Sequence, residues 1–517
     1  MQLIPPIPRV WQHAAGNYQA MGHSAYAAFL TQDQKVRLER VRQARLLKSG
    51  KHFEYFIGEG RTQFPFPPLE TVSGEVIPVY VTVNFPGLIS ETTADLLLGD
   101  DPILRVDDEI QQAKLTELVE SASLAELLHD AAEDCSAEGE AFLEAAVDDT
   151  EGVGRVVIKR VPADEIFPEG DPGPDRQYRR YVRYSLRNAG TEKTPIWVLL
   201  ESRYLVGSIT RTVWQLDDAG KRGPELDIAA WNNLDAGQPP VPPVTPTGIS
   251  RNTITWIPNR LSGDNPVSDY DRLLSLLDTV AAKYSQLARM MAMHADPSMY
   301  FLPGSFDANG KIRTNNKAWP ASSKDEAPGY ITFDGQCEAA LRDRAAAERI
   351  LLITARMSPA LLGLKEGAAA TSWKTLRLES NNTLAMIRGK SRIWAPRIRR
   401  LLSVAQDLQQ TLPGERFDRY PIACEIRDGI PVDDNEQANT IATLLSVGAL
   451  SRKRAVRMQL VDEAATAEEV AQIELEEAER FARNTPAILL GRPADLPAND
   501  AGEEVGSDQL PVASEEE

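Results

Sequence analysis

The sequence predicts an α+β fold in which a mixed helix-and-sheet region gives way to long helices. Two periodicities and one gap carry this expectation. Apolar residues recur every second position between about 140 and 216, the period of strands with one covered face. From 270 they fall at 270, 273, 274, 277, 280, 281, 284, 287, 288 and 291, a heptad seam. Helical character returns near 337 and again at 372, separated by RMSPALLGLKEGAAAT, a stretch of small residues with one Lys–Glu pair.

Residues 1–75 are mixed, with a basic helical stretch near 33–49 and a proline-rich loop, PFPPLE. VIPVYVTVN reads as a strand and LISETTADLLL as a helix stopped by Gly99. Two amphipathic helices follow at 109–137, the second opened by a capping box of Ser123 and Glu126. AFLEAAV, RVVIKRV, QYRRYVRYSL, IWVLLESRYLV and SITRTVWQL read as five consecutive strands. In the third, Val182, Tyr184 and Leu186 alternate with Arg183, Ser185 and Arg187, which suits an antiparallel sheet with one wet face. PPVPPVTP at 239–246 is expected to be a stiff, extended connector.

The heptad seam predicts one helix of about 28 residues, about 42 Å long at 1.5 Å per residue. A loop-rich β segment at 297–336 includes the turn DANGK, and a second helix runs from about 337 to 357, ending at Ser358–Pro359. From Ser372 a helix continues to about Thr411 with Pro396 as its expected kink. YPIACEIRD is short and extended. Three helices are expected at 433–447, 451–460 and 466–483, with Asp433–Glu436 and Thr466–Glu469 as caps and Gly448 closing the first. From 500 on there are seven acidic residues and no basic one, so the tail 486–517 reads as disordered.

Composition narrows the function. Of the 517 residues, 42% are hydrophobic and 25% charged, the make-up of an ordinary globular protein. No run approaches eighteen apolar residues, and MQLIPPIPRVWQ lacks a signal-peptide pattern, which points to a cytoplasmic origin without a membrane anchor. Cys135, Cys337 and Cys424 are too dispersed for a metal knuckle, and His13, His23, His52, His129 and His294 share no ligand spacing. The net charge of −19 opposes tight, non-specific binding to nucleic acid, yet it suits a protein past which DNA must slide.

Searches for chemistry fail one by one. GSFDANGKI has five residues between Gly304 and Gly310 where a phosphate loop needs four, and Ile312 stands in place of the magnesium-binding hydroxyl. RGKS at 388–391 has Leu384 where the first glycine should be. DANGK begins like a calcium loop, but its twelfth position is Ala318. No cofactor is implied. The basic segment RGKSRIWAPRIRR, with Arg388, Lys390, Arg392, Arg397, Arg399 and Arg400, reads as a contact to acidic surfaces of a neighbouring subunit, or alternatively to DNA.

Taken in order, NRLSGDNPVSDYDRLLSLLDTVAAKYSQLARMMAMHADP, a β segment, RMSPALLGL, TSWKTLRLESNNTLAMIRGKSRIWAPRIRRLL and DDNEQANTIATLLSVGALSRKRAVRM resemble the portal proteins of tailed bacteriophages. The likeness extends from about 78 to 485, and its most specific parts are N-P-x-S-D-Y-D, S-P-x-L-L-G and G-x-L-S. It implies a wing at 1–265, a first stem helix at 266–296, a clip at 297–336 and a second stem helix at 337–357. A tunnel loop at 358–371 would come next, then a long kinked wing helix and strand at 372–428 and a helical crown at 429–485.

The resemblance further implies a non-enzymatic ring of about twelve copies at one capsid vertex. Double-stranded DNA would be packaged and ejected through its channel. The ring would be assembled in the cytoplasm of the infected bacterium and carried in the virion. Partners would be the terminase large subunit, the head–tail adaptor and the major capsid and scaffolding proteins, with no membrane. The tunnel loop would present Leu364, Lys365, Glu366, Gly367, Ala368, Ala369, Ala370 and Thr371 to the DNA. A DNA-processing enzyme, such as a metal-dependent nuclease of a phage or mobile element, is the alternative reading.

Overall fold

A computed structural model describes residues 28–66, 69–70, 76–77, 80–148, 154–190, 194, 196–217, 220–234, 240–263, 265–295, 299–300, 329–330, 337–362, 373–427, 429, 434–459 and 468–476. The chain divides into two units, Met1–Ile430 and Pro431–Glu517, and each is described by itself.

The first unit opens with α1 (Gln32–Lys48). Its capping box is complete: Thr31 Oγ1 accepts from the Gln34 amide at 3.3 Å, and Gln34 Oε1 accepts from the Thr31 amide at 3.0 Å. The basic character of α1 is absorbed by buried carboxylates. Arg37 and Arg40 meet Glu140 Oε1 at 2.7 and 3.0 Å, and Arg45 reaches Glu138 at 2.6 Å and both oxygens of Asp164 at 2.8 Å. Glu140 uses its other oxygen to accept from Trp256 Nε1 at 2.8 Å.

The strand expected over 76–84 is cut short. Val76–Ile77 pairs antiparallel with Leu69–Glu70, but Tyr80–Asn84 joins no ladder. Its Val81 amide donates instead to Ser285 Oγ on a later helix, at 2.9 Å, and a backbone donor satisfied by a side chain is withdrawn from sheet formation. Asn84 then caps α2 (Phe85–Leu98), which Gly99 ends as expected.

After β1 (Ile103–Arg105) come α3 (Glu109–Ser121), capped by Asp108, and α4 (Leu124–Glu138). The capping box expected at Ser123 does not form. Only Ala122 and Ser123 separate the two helices, and the tight turn places Ser123 at φ 45°, without a side-chain cap bond.

The five predicted strands belong to two sheets rather than one. β2 (Glu140–Asp148) and β3 (Arg155–Val161) form the first with a distant strand from 254–258. β4 (Ile166–Glu169), β5 (Arg180–Asn188), β6 (Trp197–Leu205), β7 (Ser208–Leu216) and β8 (Arg222–Leu226) form an antiparallel meander. The separation has a cause in β2, whose first six residues are all buried. Ala141, Leu143 and Ala145 face one hydrophobic cluster while Phe142 faces another, so β2 is sandwiched and has no wet face to share with the meander. In β5 the predicted alternation holds: Val182, Tyr184 and Leu186 are buried, and Arg183, Ser185 and Arg187 are half-buried.

Within the proline run, the end takes part in the sheet. β9 (Val244–Pro246) pairs with β7 at the edge, where missing proline donors are tolerated. Asn232 holds both the amide and the carbonyl of Val241, at 3.0 and 3.1 Å. β10 (Ile254–Pro258) returns to pair with β2, Trp256 opposite Phe142.

α5 (Leu274–Ala295) is shorter than its apolar pattern. The first positions of that pattern lie in the turns beyond a two-residue hairpin, Leu261–Ser262 with Asn265–Pro266. Its antiparallel partner is α6 (Cys337–Ala355). Between them, Met299–Tyr300 pairs with Gly329–Tyr330; the rest of the expected β cap lies outside the described residues. The expected forty-residue helix is two: α7 (Trp373–Glu379) and α8 (Asn381–Gln409). The interruption falls at Ser380, whereas α8 runs on through Pro396. α8 lies against the first sheet, and its Leu384, Ile387, Trp394, Ile398, Leu401, Leu402 and Leu408 complete the largest core cluster. β11 (Ala423–Glu425) closes the unit by pairing with β1.

In the second unit, α9 (Asp434–Ser446) and α10 (Arg452–Gln459) flank the Gly448 turn. Gly448 sits at φ 69°, and the Gly448 and Ala449 amides return to Leu445 and Leu444 carbonyls at 3.1 and 2.9 Å. Residues 468–476 are helical. The caps expected at Asp433 and Thr466, and the acidic tail, lie outside the described residues.

Gly139 joins α4 to β2 at φ 89°, where a Cβ would stand 3.0 Å from the Ser268 amide and 3.1 Å from the Val267 carbonyl carbon. Gly139→Ala is therefore expected to cost about 1–3 kcal/mol in urea unfolding of the full chain; an unchanged unfolding curve would show that the junction relaxes freely.

Candidate functional site

The heptad-bearing helix grows from the segment Asn265–Asp271, in which the side chains of Ser268, Asp269 and Tyr270 are bonded to different parts of the fold. Ser268 Oγ donates to the Ala137 carbonyl at 2.5 Å and accepts from the Tyr270 amide at 3.0 Å. The Ser268 amide donates to Asp271 Oδ2 at 3.1 Å. Tyr270 Oη donates to the Pro86 carbonyl at 2.9 Å and lies 2.5 Å from Ser90 Oγ. Burial pushes this phenol above its ordinary pKa.

Asp269 stands at the centre. Lys390 Nζ and Ser136 Oγ both donate to its Oδ2 at 2.6 Å, and Asn259 Nδ2 donates to its Oδ1 at 3.0 Å. Lys390 also donates to Asn259 Oδ1, while Asn259 Nδ2 reaches the Val267 carbonyl at 3.1 Å. Burial alone would raise the Asp269 carboxyl, but the charge and hydrogen bond of Lys390, with the hydrogen bonds of Ser136 and Asn259, hold it below the usual range. α4, β10, the root of α5 and α8 are thereby locked to one carboxylate.

Above this root the apolar seam divides. Tyr270, Leu273, Leu277, Val280 and Ala281 are buried, the larger of them packed with Leu351, Leu352 and Met357. Asp278, also buried, accepts from Thr62 Oγ1 at 2.9 Å and the Gln63 amide at 2.8 Å. Farther along, polar contacts replace the seam: Lys283 pairs with Asp343, Arg344 pairs with Glu348 at 3.1 Å, and the Arg344 guanidinium lies 5.0 Å from the Tyr284 ring centre. Met291, assigned to the seam by periodicity, is 56% exposed. On α6, Ile350 and Ile353, one turn apart, are 53% and 58% exposed, and Leu341, on the opposite side of the helix, is 43% exposed.

The segment 364–371, with all eight of its candidate residues, lies outside the described residues. The chain on its N-terminal side is fixed by one buried hydroxyl of α8: Thr383 Oγ1 accepts from the Ser358 amide at 2.9 Å and donates to the Arg356 carbonyl at 2.7 Å. The S-P-x-L-L-G motif thus begins at an anchored point on the body of the unit.

The basic segment separates into two sets. Arg388, Arg392 and Arg399 are exposed. Lys390 is held by Asp269, and buried Arg397 donates to the Asp175 and Arg176 carbonyls at 3.0 and 3.2 Å. Arg400 meets Asp175 Oδ2 at 3.4 Å. The reading of this segment as a surface for outside partners thus narrows to the first three, because helical spacing turns the others into the fold. Asn259, Ser136 and Asp269 were not singled out from sequence as site residues; the N-P-x-S-D-Y-D string contains Asp269, and nothing local marked Asn259 or Ser136. Among the described residues no group of His, Cys, Asp and Glu is arranged to hold a metal ion, and no helix is long and apolar enough to cross a membrane.

Lys390→Ala would leave Asp269 buried without its counter-charge, and breaking such a pair costs about 3–5 kcal/mol; urea unfolding monitored by circular dichroism measures it. The pH dependence has a definite sign. The folded carboxyl lies below its ordinary 3.8, so the pair's contribution is complete above that value and lost as pH falls through the folded pKa. Asp269→Asn should flatten this acid limb, and an unaltered limb would count against the pair.

Residues 78–481 match the family described as "Phage portal protein, SPP1 Gp6-like". No curated protein matches the chain. Among solved structures, "Neck of native GTA particle computed with C12 symmetry" is 14% identical with a TM-score of 0.41, covering 72% of this chain and 87% of that one. "Virion of native gene transfer agent (GTA) particle" is 16% identical with a TM-score of 0.40, covering 71% and 86%. "Neck of empty GTA particle computed with C6 symmetry" is 12% identical with a TM-score of 0.41, covering 71% and 88%. With the family match spanning most of its length, the chain belongs to the phage portal proteins of the SPP1 Gp6-like family.

Proposed function

We propose that copies of this portal protein close into a ring of about twelve at one capsid vertex, and that double-stranded DNA enters and leaves through its channel. The observation that carries this reading is the family match, with exposed Ile350 and Ile353 of α6 in support. In a ring, Ile350 and Ile353 of one copy pack on the helix pair of the next. Each fully covered aliphatic side chain contributes about 1.5–3 kcal/mol, enough over many interfaces to outweigh repulsion between chains of net charge −19.

In this assignment α5 and α6 are the stem, residues 297–336 the clip and 429–485 the crown. The mixed region 1–265 is the wing, joined by the 372–428 helix and strand. The clip docks the terminase large subunit during packaging and the head–tail adaptor afterwards; capsid and scaffolding proteins surround the wing. ATP is hydrolysed by the separate motor, and the portal itself makes and breaks no bonds. Residues 358–371 form the tunnel loop, in which glycine and alanine give a low, compliant profile toward moving DNA. Arg388, Arg392 and Arg399 are the segment's candidates for contact with a neighbouring copy. Family membership gives no support to the nuclease alternative.

Native mass spectrometry of the purified chain should give a closed oligomer near twelve copies without ATPase activity, and a strict monomer at micromolar concentration would refute the ring. The double substitution Ile350→Glu with Ile353→Glu should preserve helicity while abolishing the ring. Bulky replacements across Gly367–Ala370 should leave rings intact but reduce DNA packaged per particle; undiminished packaging would remove the loop from the channel.

A further inference from the structure

Beside the Asp269–Lys390 pair lies a half-open cleft of about 210 Å³, lined on its charged side by Arg260, Arg272, Arg356 and Lys390 and on its apolar side by Met386 and Ile393. Among the described residues, Arg260 feels the charges of Asp269 and Asp271 without a direct side-chain bond to either, and Arg272 and Arg356 are exposed side chains on the rim of the cleft. The arginines of α1, by contrast, all reach carboxylates.

Three arginines line one cleft, and their charges oppose one another. Burial and the neighbouring charges of Arg272 and Arg356 lower the pKa of Arg260. Arg356 also sits at φ 60°, a left-handed backbone uncommon outside glycine, and it is pinned there by its amide bond to the Ile353 carbonyl at 3.0 Å and by Thr383. A strained residue held by its surroundings is a pointer to function.

Charge and size define what the cleft can hold. Four cations, with Asp269 in the wall and Asp271 close to Arg260, leave a surplus of two positive charges. The volume is below the ~300 Å³ at which pockets for larger ligands begin, so it suits a single small ion. Guanidinium forks match the oxygens of phosphate in pairs.

We propose that this cleft binds one phosphate-class dianion, supplied either as inorganic phosphate or as the terminal phosphate monoester of a DNA end. Arg272 and Arg356 are its adaptable jaws, Arg260 its inner fork, and the Asp269–Lys390 pair fixes the floor.

Calorimetric titration of the full chain with inorganic phosphate, in phosphate-free buffer at fixed ionic strength, should show one saturable site per chain that chloride does not fill. Arg272→Ala with Arg356→Ala should weaken it at least tenfold without moving the urea midpoint, since both side chains are exposed. Arg260→Lys, which retains charge but not the fork, should also weaken it. Short duplexes with 5′-phosphate or 5′-hydroxyl ends, added as competitors, separate the sources. Preferential displacement by the phosphorylated duplex assigns a DNA end, and equal behaviour of the two assigns free phosphate. Absence of saturable phosphate binding, or binding unaltered in the double variant, overturns the proposal. Acetate binding as tightly as phosphate also overturns it, in favour of a carboxylate side chain from a second copy.

Discussion

A carboxylate withdrawn from water must find its compensation inside the protein, and Asp269 is where this fold concentrates that requirement. An unpaired buried charge costs several kcal/mol, whereas Asp269 has Lys390, Ser136 and Asn259 as donors. Each donor comes from a separate element, so the charge is neutralised only when α4, β10, the root of α5 and α8 have all arrived. The root of α5 is thereby positioned by polar bonds whose lengths and angles tolerate little drift. Hydrophobic packing supplies most of the stability but tolerates repacking; the ion pair fixes orientation.

The same device recurs at α1. Its arginines face Glu138, Glu140 and Asp164, and Glu140 is shared with Trp256 in the first sheet. A helix near the start of the described chain is thus tied by charge to the junction of α4 and β2, the junction that also touches the Ser268 turn through Gly139. In a protein with 75 acidic residues and 56 basic ones, arginine is directed first to carboxylates that burial would otherwise destabilise. Around the cleft beside Asp269, Arg260, Arg272 and Arg356 are gathered without a direct carboxylate bond.

The helix pair itself is packed at its base and open farther out. Near the root, Leu273, Leu277, Val280, Leu351 and Leu352 are covered. Toward the far end the inner contacts become ionic, while at the base Ile350 and Ile353, beside covered Leu351 and Leu352, remain exposed. A lone chain gains nothing from exposed Ile350 and Ile353, and an assembly that repeats the pair side by side covers them. Two backbone bonds on Thr383 hold the chain at Arg356 and Ser358, so the small-residue segment farther on starts from a rigid point.

Periodicity along the chain was enough to determine the helices at 85–98, 337–355 and 434–446, the alternation in β5 and the turn at Gly448, because these depend on residues a few positions apart. The order of motifs was enough to reach the portal family. Beyond the reach of sequence were the outcomes that depend on distant partners. Strands 140–161 left the meander because burial on both faces pairs them with 254–258. Val81 left its strand because Ser285 takes its amide. Ser123 lost its cap to a two-residue turn, and the long helix broke at Ser380 rather than at Pro396. Within the basic segment, helical spacing separates Lys390 and Arg397 from the exposed arginines, but only the folded chain brings Lys390 to an aspartate 121 positions away. Local spacing sets backbone conformation at short range, whereas the fate of a charge depends on which groups long-range packing places beside it, and that was decided by the tertiary structure alone.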